Sequence, residues 1–140
     1  MAGIYIHIPY CSQKCIYCNF YSITKKKSKD NYIRAIIKEI EKRNTYLSTP
    51  IKTLYFGGGT PTCLNKEQIT QIIFALKENF DLSLLEEATI EANPEDANPE
   101  FLEHLLNLGF NRISYGIQSF NDDDLKLLNR RHNSKTAINA

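Results

Sequence analysis

The chain has 140 residues, the size of one domain, and its 42% hydrophobic and 24% charged residues are ordinary globular values. Lys+Arg 17 against Asp+Glu 16 leaves a net charge of +1, which excludes a disordered charged tail and a protein that holds nucleic acid by bulk charge. No apolar run approaches the roughly 20 residues that cross a bilayer, and MAGIYIHIPY has neither a basic n-region nor a cleavage site, so a cytoplasmic location is expected. Cysteines that stay reduced there and cluster in sequence point to metal binding or redox chemistry rather than disulfides.

Ile4, Ile6 and Ile8 alternate with Tyr5 and His7, the period-2 pattern of a strand over about residues 3–8, up to Pro9. Lys25, Lys26, Lys27 and Lys29 read as a solvated loop, because no aromatic or arginine residue is interleaved. A helix begins near Ser28, with Ile33, Ile36, Ile37, Ile40 and Leu47 at helical spacing. A second strand at 53–56 is broken by Gly57, Gly58 and Gly59, and a helix after Asn65 sets Ile69, Ile72, Ile73, Leu76 and Phe80 on one face. A third strand at 88–92 closes at Asn93-Pro94. Asn98-Pro99 then has the cap-then-proline order of a helix start, and Gly109 is its stop. A fourth strand at 112–116 leads to a helix over 122–130 with an acidic first turn, and 134–140 holds the cap and first turn of another. Strands alternating with helices predict βαβ units and a parallel sheet. Four such units are too few for the usual eight-stranded barrel, so 1–140 reads as the N-terminal portion of a larger α/β protein.

Cys11-Ser-Gln-Lys-Cys15-Ile-Tyr-Cys18 has the spacing C-x3-C-x2-C. Three thiolates on one loop suit a polynuclear iron–sulfur cluster. A structural zinc site is the alternative, although zinc takes a fourth ligand and usually draws on paired C-x2-C elements. Cys63 lies outside the spacing and reads as a small buried apolar residue. His7 either lines a site or is a hydrogen-bonded scaffold residue, while His104 and His132 read as structural or solvated.

With Tyr17 as the aromatic residue before its last cysteine, this motif resembles C-x3-C-x-aromatic-C, the cluster motif of the radical S-adenosylmethionine (SAM) enzymes. The flanks Tyr5-Ile-His-Ile-Pro-Tyr-Cys11 and Cys15-Ile-Tyr-Cys18-Asn-Phe20 resemble the oxygen-independent coproporphyrinogen oxidase superfamily, and within it the HemW-type branch of heme chaperones. Where the porphyrinogen oxidases carry a further cysteine two places after the third, this chain has Phe20. The resemblance implies the first four or so βα units of a partial TIM-like radical SAM barrel with parallel strands. It also implies a [4Fe–4S] cluster on Cys11, Cys15 and Cys18, with the fourth iron left for SAM. The chemistry implied is one-electron cleavage of the SAM sulfonium to methionine and a 5′-deoxyadenosyl radical.

Gly57-Gly-Gly-Thr-Pro61 permits close backbone approach to a ligand and lacks the Gly-Lys-Ser/Thr ending of a phosphate loop. The resemblance implies that Gly58, Gly59 and Thr60 hold the methionine amino group of SAM. Glu91 ends the third strand, Gln118 follows the fourth and Arg130 closes the next helix, so together with the cysteine and glycine loops they gather at the carboxyl ends of successive strands, where barrel folds build active sites. By resemblance, Glu91 and Gln118 bind the methionine and ribose groups, Arg130 pairs with the SAM carboxylate, and Tyr5 and Tyr17 pack beside the cofactor. No side chain is assigned a bond-making role. Implied partners are heme as cargo, apo-hemoproteins such as respiratory enzymes, and an electron donor for the cluster. Nucleic acid is not among them, and membrane association arises only through client proteins. Two alternatives stand: a coproporphyrinogen III oxidase performing oxidative decarboxylation, and a zinc-binding structural module.

Overall fold

Strand-period and helix-period segments alternate along the whole chain, and the fold follows that alternation. In the computed structural model, which describes residues 2–24 and 26–140, the elements are β1 (Ala2–Ile8), α1 (Lys29–Lys42), β2 (Ile51–Gly58), α2 (Lys66–Asn79), β3 (Glu87–Ala92), α3 (Pro99–Leu108), β4 (Arg112–Tyr115), α4 (Asp122–Leu127) and α5 (Ser134–Asn139). Lys25 and the side chain of Lys26, both in the expected lysine loop, lie outside the described residues. Among the described residues the strands form one parallel sheet in the order β1-β2-β3-β4. No helix among them is long and apolar enough to cross a membrane.

Asparagines write most of the helix starts. Asn65 accepts the Gln68 N–H while the Gln68 side chain accepts the Asn65 N–H, the reciprocal box that opens α2. Asn98 accepts from the Phe101 N–H ahead of α3, and Asn121 and Asn133 do the same for α4 and α5. Two helices end on a residue in the left-handed region. At the end of α3, Gly109 has φ 106° and the Phe110 N–H returns to the Leu105 carbonyl.

The pleat sorts the strand residues onto two faces. Ile6 and Ile8, Leu54 and Phe56, and Ala88 and Ile90 are buried against Ile33 and Ile40 of α1, Ile69, Ile72, Ile73 and Leu76 of α2, and Phe101 and Leu105 of α3. Phe56 meets Phe110 edge to face, with ring centroids 5.1 Å apart. The opposite face of the sheet is polar and aromatic: Tyr5 pairs in register with Tyr55, which pairs with Thr89, and Glu91 pairs with Ser114 one row further on. The helices therefore cover one face, and the other presents side chains able to meet a polar ligand.

Three elements differ from expectation by two residues or more. β2 runs through Gly57 and Gly58, whose backbones still pair with His7 and Ile8, because glycine weakens a strand without forbidding it. α1 stops at Lys42, so Leu47 lies beyond it, a part-buried residue in a mostly exposed loop. α4 ends at Leu127 rather than at 130. Asn129 adopts φ 57°, its N–H bonds the Lys126 carbonyl and the Arg130 N–H bonds the Leu125 carbonyl, a left-handed stop that turns Arg130 out of the helix.

Leu76 is fully buried and Leu106 is 66% exposed. Leu76→Ala is expected to cost about 2–5 kcal/mol, read as a lower denaturant midpoint with an unchanged slope. Leu106→Ala is expected to stay within about 0.5 kcal/mol of the parent.

Candidate functional site

Pro9 ends β1, and the chain that follows is held by its neighbours rather than by itself. The Cys11 N–H bonds the Ile23 carbonyl at 3.1 Å and the Ile23 N–H bonds the Pro9 carbonyl at 2.7 Å. Tyr10 is buried between them, with its hydroxyl 2.8 Å from Ser28 Oγ. The far side of the loop is tied to the turn after α4. Gln13 donates to the Asn129 side chain at 2.7 Å, Asn129 donates to the Lys14 carbonyl at 2.8 Å, and the Ile16 N–H reaches the Leu128 carbonyl at 3.4 Å. Since Arg130 follows Asn129 directly, the same contacts deliver its guanidinium to the cysteine loop.

The glycine loop meets the cysteine loop backbone to backbone. The Gly59 N–H bonds the Ile8 carbonyl at 2.8 Å, and the Thr60 N–H bonds the Tyr10 carbonyl at 2.7 Å. A Cβ on Gly59 would sit 2.6 Å from the Tyr10 oxygen and 3.0 Å from Cys11 Sγ, so only glycine fits. Gly58 has φ 114°, and a Cβ there would strike the His7 ring at 2.6 Å. Thr60 is buried and its hydroxyl donates toward Cys11 Sγ at 3.6 Å.

At the ends of β3 and β4, Glu91 is held from two sides. The Tyr55 hydroxyl donates to Oε1 at 2.7 Å and the Gly58 N–H donates to Oε2 at 3.1 Å. Arg130 donates through Nη1 to Cys15 Sγ at 3.2 Å, and through Nη2 to Asn93 Oδ1 at 2.7 Å and the Gly116 carbonyl at 2.5 Å. Its Nε is buried without a partner. Burial opposes the Arg130 charge, but Cys15, Tyr17 and Glu95 together outweigh it and hold the guanidinium above its ordinary value. Burial and the Cys15 contact push the Tyr17 phenol up.

Cys11, Cys15, Cys18, Tyr17, Gly58, Gly59, Thr60, Glu91, Gln118 and Arg130 all line one cleft of about 360 Å³. Among the described residues no three His, Cys, Asp or Glu side chains gather as they would round a single ion. Tyr5 is the expected site residue that the fold leaves outside the cleft. It stands one row lower on the strands, stacked on Tyr55 with centroids 6.0 Å apart and facing a groove between β1 and α1. Cys63 is part-buried and bonds the Tyr10 carbonyl, and burial pushes its thiol up. His7 lies 3.0 Å from the Tyr5 hydroxyl. His104 donates to the Lys66 carbonyl at 3.2 Å, and buried His132 donates to the Ile117 carbonyl at 3.1 Å beside Glu95. Sequence reasoning missed Asn93, Tyr55 and Gly116. Their signal was the one used for Glu91 and Gln118, nearness to the carboxyl ends of strands, but each had been absorbed as a strand or turn residue.

The model of the radical SAM superfamily matches residues 5–140. The chain belongs to that superfamily. It is 40% identical to the heme chaperone HemW of Lactococcus lactis over 91% of this chain and 33% of that protein. With HemW of Bacillus subtilis the identity is 40% over the whole chain and 38% of the relative. The oxygen-independent coproporphyrinogen III oxidase of Escherichia coli is 38% identical over 95% of the chain and 30% of its own length. The solved structure of that oxidase, HemN, described as a radical SAM enzyme, superposes with a TM-score of 0.88 at 35% identity, covering 98% of this chain and 33% of its own. The four parallel strands and their helices are thus part of a radical SAM barrel, and the chain spans about a third of the length of these relatives.

Tyr55→Phe removes one of the two donors to Glu91. It is expected to lower stability by about 1 kcal/mol, since the pair is only part-buried and solvent weakens it. Chemical denaturation checks this, and a Tyr55→Phe, Glu91→Ala double variant no worse than Glu91→Ala alone would tie the loss to this hydrogen bond.

Proposed function

We propose that the protein binds a [4Fe–4S] cluster through Cys11, Cys15 and Cys18 and SAM in the adjoining cleft, and acts as a HemW-like heme chaperone that delivers heme to apo-hemoproteins such as respiratory enzymes. The residues of the cleft suit both groups. Three thiols line it, the backbone of Gly58 and Gly59 borders it, and Arg130 offers a buried Nε without a partner. In this reading Glu91 and Gln118 hold the methionine and ribose groups, the Gly58–Thr60 backbone holds the amino group, and Arg130 pairs with the carboxylate. Tyr17 borders the bound SAM at the Arg130 side. When bound, cluster and SAM supply one-electron chemistry fed by an external electron donor. The protein orients them and shields them from water. The location proposed is the cytoplasm, and residues 1–140 are read as the N-terminal part of the radical SAM core domain.

The observation that carries the chaperone reading over the oxidase is Phe20. It lines the cleft at 72% exposure, so an apolar ring stands where the oxidase pattern has a thiol. The similarity to HemN keeps oxidation of coproporphyrinogen III as the second reading.

Anaerobic reconstitution of the full-length protein tests the ligands. Cys11→Ser, Cys15→Ser and Cys18→Ser are expected to lose iron and the brown absorbance near about 400 nm, while Cys63→Ser retains both. Iron in Cys18→Ser equal to the parent would falsify the assignment, and a colourless zinc-loaded parent would favour the structural-zinc reading.

The chaperone reading predicts that the same preparation binds heme yet forms no protoporphyrinogen from coproporphyrinogen III with SAM, reductant and an electron acceptor. A known oxidase serves as positive control, and SAM cleavage or intact cluster content certifies the preparation. Turnover matching the control would install the oxidase as the function.

A further inference from the structure

Arg130 is the residue on which the cleft converges, and a flexible arginine needs something to hold its fork in place. Among its partners, Cys15 Sγ and the Tyr17 hydroxyl face Nη1, while Nη2 rests on the Gly116 carbonyl and on Asn93 Oδ1. Asn93 is the side chain that reaches both halves of the site. Its Nδ2 points to Thr60 Oγ1 at 3.5 Å, and Thr60 Oγ1 in turn donates toward Cys11 Sγ at 3.6 Å. A chain of contacts therefore runs from Cys15 through Arg130, Asn93 and Thr60 to Cys11.

Asn93 is itself fixed. Its N–H bonds Asp96 Oδ2 at 3.3 Å, and the same carboxylate oxygen accepts the Thr62 hydroxyl at 2.5 Å, which ties the end of β3 to the segment after the glycine loop. Pro94 follows and starts a short 3-10 turn over Pro94–Asp96.

We propose that Asn93 is a positioning residue of this site: its carboxamide fixes the Arg130 guanidinium against the cysteine loop and links it to Thr60, so that the carboxylate clamp and the cluster loop are held as one unit. This rests on the reading in which Arg130 pairs with the SAM carboxylate. Without Asn93, the Gly116 carbonyl alone restrains Nη2, and the side chain regains rotamers that binding must then freeze.

The test is a double-variant cycle in the full-length reconstituted protein, with SAM affinity read by calorimetry. Serine also favours the start of a helical turn but is too short to reach Arg130. Arg130→Ala is expected to weaken SAM binding about 10-fold or more, and Asn93→Ser about 3- to 10-fold, both with parental iron content. In the Arg130→Ala background, Asn93→Ser is expected to add nothing. Because Nη1–H rests on Cys15 Sγ, and hydrogen bonds to cluster sulfurs help set the potential, both single variants should move the midpoint potential of the SAM-free cluster to more negative values. A residue that only starts the 3-10 turn would not produce that shift. Parental SAM affinity in Asn93→Ser, or an equal loss in the Arg130→Ala background, overturns the proposal. Should Asn93→Ser lose its iron, Asn93→Asp decides, since it keeps an oxygen toward Arg130. Affinity closer to the parent than to Arg130→Ala supports the proposal, and affinity equal to Arg130→Ala refutes it. If Arg130→Ala itself leaves SAM binding unchanged, the reading of the cleft fails first and this proposal with it.

Discussion

The site depends on one close approach of two backbones. Gly59 and Thr60 each donate an N–H across to the carbonyls of Ile8 and Tyr10, at 2.8 and 2.7 Å, and the contact leaves no room for a Cβ on residue 59. These two bonds continue the β1–β2 ladder past the end of the regular strands. They carry the pairing register into the loops that line the cleft. Cys11 sits at the far end of this extension, so the position of the first thiol is set by strand pairing and does not need to be found by a free loop.

The rest of the cleft follows from the polarity of the sheet. With every helix of the core packed on one face, the opposite face is free to carry the part-buried Tyr55 and Glu91, which would be costly to bury unpaired. Parallel strands then bring the ends of β1 to β4 to one edge, so that residues from four loops meet there without any long excursion of the chain. Two of the residues at that edge have positive φ without being glycine: Gln118 at 75° and Asn129 at 57°. Asn129 tolerates it because its short amide bonds locally, here to the Lys14 carbonyl.

How much of this was legible follows from the range of the interactions. The strands and the first three helices were readable, because hydrophobic period and asparagine caps act within a few residues. The three-cysteine loop and Gly57–Thr60 were readable because their chemistry lies in the residue types themselves. The place of Arg130 was only half readable. Sequence showed it near a helix end, but the left-handed stop at Asn129 that turns it toward Cys15 depends on contacts with Gln13 and Lys14, more than a hundred positions away. The resemblance implies a place for Tyr5 beside the cofactor, whereas the pleat puts it one row below the cleft against Tyr55. His132 was read as structural or solvated, and a buried site beside Glu95 and the Ile117 carbonyl makes it structural. Asn93 was read only as the end of a strand, since an Asn-Pro pair says nothing about where the amide points.

The cysteine loop has little order of its own. Within it the Cys18 N–H bonds the Cys15 carbonyl at 3.2 Å, while its other backbone and amide bonds run outward to Ile23, to Leu128 and to Asn129. Fixing each backbone residue costs on the order of 1–2 kcal/mol, so one internal bond cannot order an eight-residue segment against that entropy. The order comes from the sheet on one side and the end of α4 on the other, both of which are stabilised by burial far from the thiols. Such a loop holds its three sulfurs in one cleft only while the surrounding strands and helices are in place. The arrangement of the three thiols is thus a property of the whole βα array, and the motif by itself supplies the cysteines but not their placement.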